Sequence, residues 1–169
     1  ISHKRIGLKS SNMKIIHNGF NTKKYKFINV KDDFFNEYKI NKKAFLISMY
    51  ARFNPIKNHY ILLESFSKIL NYFQNIHLFL AGKDINDENI QLKNFIEFFN
   101  LKKNITLAGL LDEKELVKAY SSSDLTVLTS NSESFPNVIG ESMSCSTPCV
   151  SFDVGDCRKL IGNTGWITK

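Results

Sequence analysis

Two carboxylates and two cations stand out as side chains able to do chemistry together. Glu133 and Glu141 lie eight residues apart, and Arg52 and Lys57 lie five apart. Carboxylates accept hydrogen bonds from hydroxyls, so a polyol such as a sugar or ribose ring suits the first pair. Two cations beside free backbone N–H groups suit a polyanion such as a diphosphate. A helix start at Pro136–Asn137 offers such N–H groups and the positive end of a helix dipole. A plainer reading fits the same residues: Arg52 and Lys57 as solvated surface cations, and Asn137, Glu141 and Ser144 as a solvated helix stripe. Against the stripe, the helix carries only the one charge.

The flanking elements must position these groups. An apolar run, Leu125–Leu128, precedes the segment from Ser130 to Asp153, and a second, Cys149–Phe152, closes it. The order is strand, loop, helix, strand. The same alternation runs through the chain. Strands are expected at Phe45–Met49, Ile76–Ala81, Asn104–Ala108 and Leu125–Leu128, with a short helix and strand around Leu160 and Trp166. Between them, Leu62, Phe66, Ile69, Leu70 and Phe73 recur on one helical face, as do Leu92, Phe95, Ile96 and Phe99. Asp112 and Glu115 form a capping box that opens a helix carrying Leu116, Val117 and Tyr120. Earlier, Met13–Ile16 reads as a short strand stopped by His17-Asn18-Gly19. Residues 20–43 read as a connecting segment with one short helix, Asp33–Tyr38. Short apolar strands joined by helices predict an α/β fold, a Rossmann-like doubly wound parallel sheet. The loops after the strands then gather on one sheet edge, where such folds bind ligands.

Composition sets further bounds. The chain has 169 residues, 43% of them hydrophobic and 23% charged, as in an ordinary globular domain. No apolar run approaches the ~20 residues needed to span a bilayer. The first residues, Ile1 to Arg5, lack an initiator Met and a signal-peptide core, so the chain reads as part of something longer. The formal charge is +7. Lys is spread throughout with no long basic block, which points to generalised basicity ahead of an anionic membrane surface, and to no nucleic-acid partner. Cys145, Cys149 and Cys157 have no zinc spacing, and an odd count predicts reduced structural thiols and a cytoplasmic protein. There is no G-x-G-x-x-G after the first strand, no P-loop and no G-x-S-x-G, and no Asp/Glu/His cluster has metal spacing.

The segment Glu133-Ser134-Phe135-Pro136-Asn137-Val138-Ile139-Gly140-Glu141 resembles the E-x7-E motif of the retaining glycosyltransferase family 4. The continuation from Ser142 to Asp156 looks like that family's E-A-M-A-C-G-x-P-V-V-x-x-D-V-G-D. Ile161-Gly162-Asn163-Thr164-Gly165 looks like its I-G-D-T-G, and Ile16-His17-Asn18-Gly19 is similar to its I-P-N-G. Ala51-Arg52 to Lys57 resembles the G-R-x(n)-K loop, and Leu80–Lys83 the nucleotide-side Gly loop.

That resemblance implies the C-terminal, nucleotide-sugar-binding half of a two-domain GT-B enzyme. Residues 1–19 would be a remnant of the N-terminal acceptor domain and linker, and 20–169 the donor domain, cut before its final helices. The implied catalytic residues are Glu133, Arg52 and Lys57. Arg52 and Lys57 would hold the diphosphate and stabilise the leaving group, Glu133 would contact the transferred sugar, and Glu141 would hold the ribose hydroxyls. Backbone N–H groups of Asn137, Val138 and Ile139 would meet sugar or phosphate. Gly82, Phe135 and Pro136 would line the donor site, with Gly109 to Leu111 near the base. Neither metal nor cofactor is implied, the nucleoside-diphosphate sugar being a substrate. The implied activity is a hexosyl or N-acetylhexosaminyl transfer to a glycan or lipid-linked acceptor. The implied setting is bacterial capsule, O-antigen or other surface polysaccharide synthesis, with peripheral contact at the cytoplasmic face of the inner membrane. A non-catalytic nucleotide-sugar-binding domain and an epimerase of the same fold are the alternatives. Three departures are visible: Ala51 stands for the usual Gly, His17 for Pro, and Ser146 for Gly.

Overall fold

The computed structural model describes residue 16 and residues 18–168. Six strands form one sheet: β1 (Phe45–Tyr50), β2 (Ile76–Ala81), β3 (Ile105–Leu107), β4 (Leu125–Leu128), β5 (Cys149–Phe152) and β6 (Trp166–Thr168). Their spatial order is β3-β2-β1-β4-β5-β6, and every neighbouring pair is parallel. Helix α1 (Lys31–Glu37) precedes β1. The crossovers are α2 (His59–Leu70), α3 (Ile90–Phe98), α4 (Glu113–Ser122), α5 (Asn137–Ser144) and α6 (Cys157–Ile161). This is the doubly wound arrangement the alternation predicts. Strand order reverses between β1 and β4, so their carboxyl ends flank the crevice where ligands enter such sheets.

Successive side chains of a strand point to opposite faces, and the core divides accordingly. Ile47, Met49, Leu78 and Leu80 pack on one face with Leu62, Leu63 and Phe66 of α2 and Leu92 and Ile96 of α3. Leu46, Tyr50, Phe79 and Ala81 pack on the other with Phe34 and Phe35 of α1 and Val117 and Tyr120 of α4. Burial of each large apolar side chain contributes ~1.5–3 kcal/mol. A smaller cluster of Leu128, Ile139, Cys149, Cys157 and Ile161 seats α5 and α6 beside β4 and β5.

Several boundaries differ from the sequence reading. The first helix is Lys31–Glu37, not Asp33–Tyr38, and β3 is shorter than Asn104–Ala108. Helix α2 ends at Leu70, so the face extended to Phe73 is broken: Phe73 lies just past the following turn, 65% exposed, and Ile69 is 39% exposed. The spacing fitted a helix, but Asn71 caps it, and the chain turns back toward β2 before Phe73 can reach the core. The expected strand Met13–Ile16 and the His17 departure lie outside the described residues, save Ile16, which is exposed and has no regular structure. The capping box is present as read: Asp112 accepts from Glu115 N, and Glu115 accepts from Asp112 N.

Candidate functional site

The loop after β1 is shaped by local hydrogen bonds. The Asn54 side chain accepts from Ile56 N and caps a single turn of 3-10 helix, Pro55–Lys57. Asn58 then takes a left-handed conformation, φ 54°, and turns the chain into α2. The loop after β4 is stitched to it. Thr129 Oγ1 donates to the Lys57 and Asn58 carbonyls, Asn131 N donates to Ile56 O at 2.8 Å, and Asn58 Nδ2 donates to Asn131 Oδ1. Two loops 70 residues apart in sequence thus become one structure at the point of strand reversal.

This stitching brings Lys57 to Glu133. The ammonium donates to Glu133 Oε1 at 2.5 Å, with side-chain exposures of 23% and 12%. In a pair shielded to this degree, removing one partner leaves the other charge uncompensated. Glu133 is also clamped from behind. Gly155 has φ 53°, and a Cβ there would lie 2.4 Å from the Glu133 carbonyl oxygen, while Asp156 N donates to Ser134 O. Only a glycine lets the loop after β5 approach so closely.

Glu141 is held differently. Helix α5 is fixed to the sheet by a buried hydroxyl chain, Ser142 to Thr126 at 2.6 Å and Thr126 to Ser48 at 3.2 Å. The Tyr120 hydroxyl of α4 donates to Glu141 Oε2 at 2.9 Å. Burial, reinforced by the Glu141 charge, raises the Tyr120 phenol far above its usual range, so it stays a donor. Glu141 is therefore half-buried and bonded, which removes it from the solvated-stripe reading.

A cleft of about 450 Å³ opens at the carboxyl ends of β1 and β2. Its walls include Arg52, Lys57, Gly82, Leu111, Val138 and Glu141. Arg52 is exposed on this wall and forms no ion pair among the described residues. Gly82 packs against the Ala51 backbone so closely that a Cβ would meet the Ala51 carbonyl at 2.3 Å. Glu133 adjoins the cleft through Lys57. Phe135 stacks on Phe20, and Pro136 is the buried N-cap of α5. The Asn137 and Val138 N–H groups have no acceptor among the described residues, but Ile139 differs from expectation. Its side chain is wholly buried and its N–H donates to Pro136 O at 3.1 Å, so this amide is already used.

Sequence reasoning missed part of the wall. Tyr50 and Tyr120 line the cleft, beside Lys83 of the loop already matched to the nucleotide-side motif. Tyr120 was legible only as a helix-face residue, because its bond to Glu141 is tertiary. Among the described residues no three His, Cys, Asp or Glu side chains converge as metal ligands, and no helix is long and apolar enough to cross a membrane. The three cysteines are free and buried, and burial pushes the Cys149 thiol up to about 12.

The sequence profile described as "Glycosyl transferases group 1" matches residues 30–169. The chain belongs to the group 1 glycosyltransferases. Among curated relatives it is 27% identical over 114 residues to a D-inositol 3-phosphate glycosyltransferase of Segniliparus rotundus, covering 65% of this chain and 25% of that protein. It is 25% identical over 135 residues to the N-acetyl-alpha-D-glucosaminyl L-malate synthase of Bacillus anthracis, covering 79% and 34%. The chain thus spans between a quarter and about a third of these group 1 relatives. Among solved structures, Anabaena Alr3699/HepE in complex with UDP-glucose superposes with a TM-score of 0.85 over 98% of this chain and 46% of that one, at 22% identity. That likeness shows the fold of the group 1 domain, a Rossmann-like half of the GT-B architecture.

Proposed function

We propose that this chain is the donor-binding half of a retaining glycosyltransferase that takes its sugar from a nucleoside diphosphate. The observation that carries the reading is the convergence of Arg52, Lys57, Gly82, Val138 and Glu141 on one cleft at the point of strand reversal. Family membership supports it. In this reading Arg52 and Lys57 face the diphosphate and stabilise it as it leaves, aided by the free N–H groups of Asn137 and Val138. Glu141 accepts from the ribose hydroxyls. Glu133, close to Lys57, accepts from hydroxyls of the transferred sugar. Leu111 lies on the base side. The cationic groups and helix dipole supply the charge neutralisation at the leaving group, with no metal in the proposed scheme.

Residues 20–169 form the donor domain in this proposal, and residues 1–19 come from the linker and the acceptor domain. A hexose or N-acetylhexosamine is transferred to a glycan or lipid-linked acceptor held by that other domain. The setting is bacterial surface polysaccharide synthesis at the cytoplasmic face of the membrane.

Calorimetric titration with UDP, GDP and ADP and their sugar conjugates tests the assignment. Binding of one nucleoside diphosphate, weakened by Lys57→Ala and Glu141→Ala, is the expected result. A folded sample that binds none of them refutes the donor site. Binding untouched by both substitutions refutes the residue roles.

A further inference from the structure

The segment that leads into the domain does more than connect. Phe20 lies over Gly140 of α5, so closely that a Cβ there would meet its ring at 2.1 Å, and it stacks on Phe135 at 5.5 Å. Lys24 pairs with Glu113 at the start of α4. Tyr25 meets the Tyr120 ring edge-on at 6.2 Å, and Ile28 N donates to Ser121 Oγ. Residues 20–28 therefore form a strap across α4 and α5, the two helices that carry Tyr120 and Glu141.

Tyr120 is fixed from every side. Its ring lies 4.4 Å from that of Tyr50, whose hydroxyl is bonded to Ser123 Oγ. Its backbone carbonyl accepts from the buried Thr147 Oγ1 at 2.6 Å. Its own hydroxyl has one observed partner among the described residues, Glu141 Oε2. Tyr25 of the strap also interacts with the Glu141 carboxylate, so phenols from α4 and from the strap together hold it in a fixed direction toward a ligand.

We propose that Tyr120 is the positioning residue for Glu141, and that the strap 20–28 keeps Tyr120 and α5 in register, forming the outer support of the ribose side of the cleft. This rests on the donor-site reading and deepens it: selection for a ribose with intact hydroxyls is set by Tyr120 through Glu141, and is sensitive to the strap.

The test compares affinities for UDP, GDP and ADP with those for their 2′,3′-dideoxy forms, on the unmodified chain and on Tyr120→Phe, Phe20→Ala and Glu141→Ala. The ratio between the two forms is read, because general loss of structure lowers both affinities together. Tyr120→Phe keeps the ring contacts, and melting curves verify that each variant is folded. Tyr120→Phe is expected to reduce the ribose preference about tenfold. Phe20→Ala is expected to reduce it by a smaller factor, and Glu141→Ala to remove it. Full ribose preference in Tyr120→Phe, with its loss in Glu141→Ala, overturns the positioning role and leaves the donor site standing. Full preference in Phe20→Ala overturns the role of the strap. If Glu141→Ala keeps the preference, or nothing binds, the donor-site reading itself falls.

Discussion

Glu133 and Glu141 end the same nine-residue segment, yet the molecule holds them by opposite means. Glu133 sits in a loop, answers a cation at 2.5 Å, and is backed by a glycine that no other residue can replace without moving backbone. Glu141 sits on a helix, accepts from a neutral phenol, and is backed by stacked aromatic rings. A carboxylate paired with a cation has its charge partly answered and meets a ligand through its remaining lone pairs. A carboxylate oriented by neutral donors keeps its charge for the ligand. The first end is built for charge, the second for direction.

The largest effect that separates the two ends is expected from Lys57→Ala. It removes a diphosphate contact and strands the Glu133 charge, so nucleoside diphosphate affinity should fall about 100-fold, more than for Glu141→Ala. Titration of both variants gives the order, and the reverse order breaks the contrast. Next in size is Gly155→Ala. Its left-handed backbone and the 2.4 Å approach to Glu133 O leave no room for a methyl group, so unfolding in urea should show a loss of ~2–4 kcal/mol. The matching change at the other end, Gly140→Ala, meets the Phe20 ring first, a side chain that can shift where backbone cannot, and should cost ~1 kcal/mol. Equal losses would mean that both ends are equally rigid.

Acid should loosen the Lys57 end through His59. This imidazole follows the Lys57 loop and is buried, and among the described residues neither ring nitrogen has a hydrogen-bond partner of full geometry, the Ala51 backbone being a weak one. Burial chiefly, with the nearby Lys57 charge, lowers it from 6.5 to about 4, against a smaller opposing pull from the Ala51 backbone. His77, lowered to about 4 by burial alone, adds to the effect. In this window the unfolded chain binds protons that the native state refuses, so stability falls as pH drops from about 6.5 toward 4. Melting temperatures across that range should decline, and less steeply in His59→Phe. The smallest effect is expected from Ser146→Gly. Ser146 closes α5 at φ 65°, with Ser146 N on Met143 O and Thr147 N on Ser142 O, the pattern that favours glycine. The change should stabilise by ~1 kcal/mol in urea unfolding, without altering nucleotide affinity.

The sequence made the sheet legible because its signals are local. Strand residues of β1 and β2 are apolar except for Ser48 and His77, the helices repeat Leu and Phe at the right intervals, and Asp112 and Glu115 mark a helix start within four residues. Phe73 shows the limit: its spacing continues a pattern that the backbone has already left. The cleft cations and Glu141 were legible as residues, and the family resemblance supplied their roles. Their supports were not. Tyr120 bonds Glu141 across 21 residues, Gly155 presses on Glu133 from another loop, and Phe20 covers Gly140 from a segment read only as a connector. Contacts of this kind leave no period in the chain. The Ile139 amide illustrates a similar limit, since a motif cannot say which N–H the helix start itself bonds.

The Lys57–Glu133 pair has one more consequence on the proposed reading. Glu133 acts as a rival for the cation that the ligand needs. The Lys57 ammonium has three donors and can bridge Glu133 and a phosphate at once, but a lone phosphate brings Glu133 a like charge and no donor. A sugar diphosphate offers both at once, anionic oxygens to the ammonium and hydroxyl donors to the carboxylate. Both groups are answered only when both halves of the donor arrive together, so on this reading the intact sugar nucleotide should bind more tightly than the nucleoside diphosphate alone.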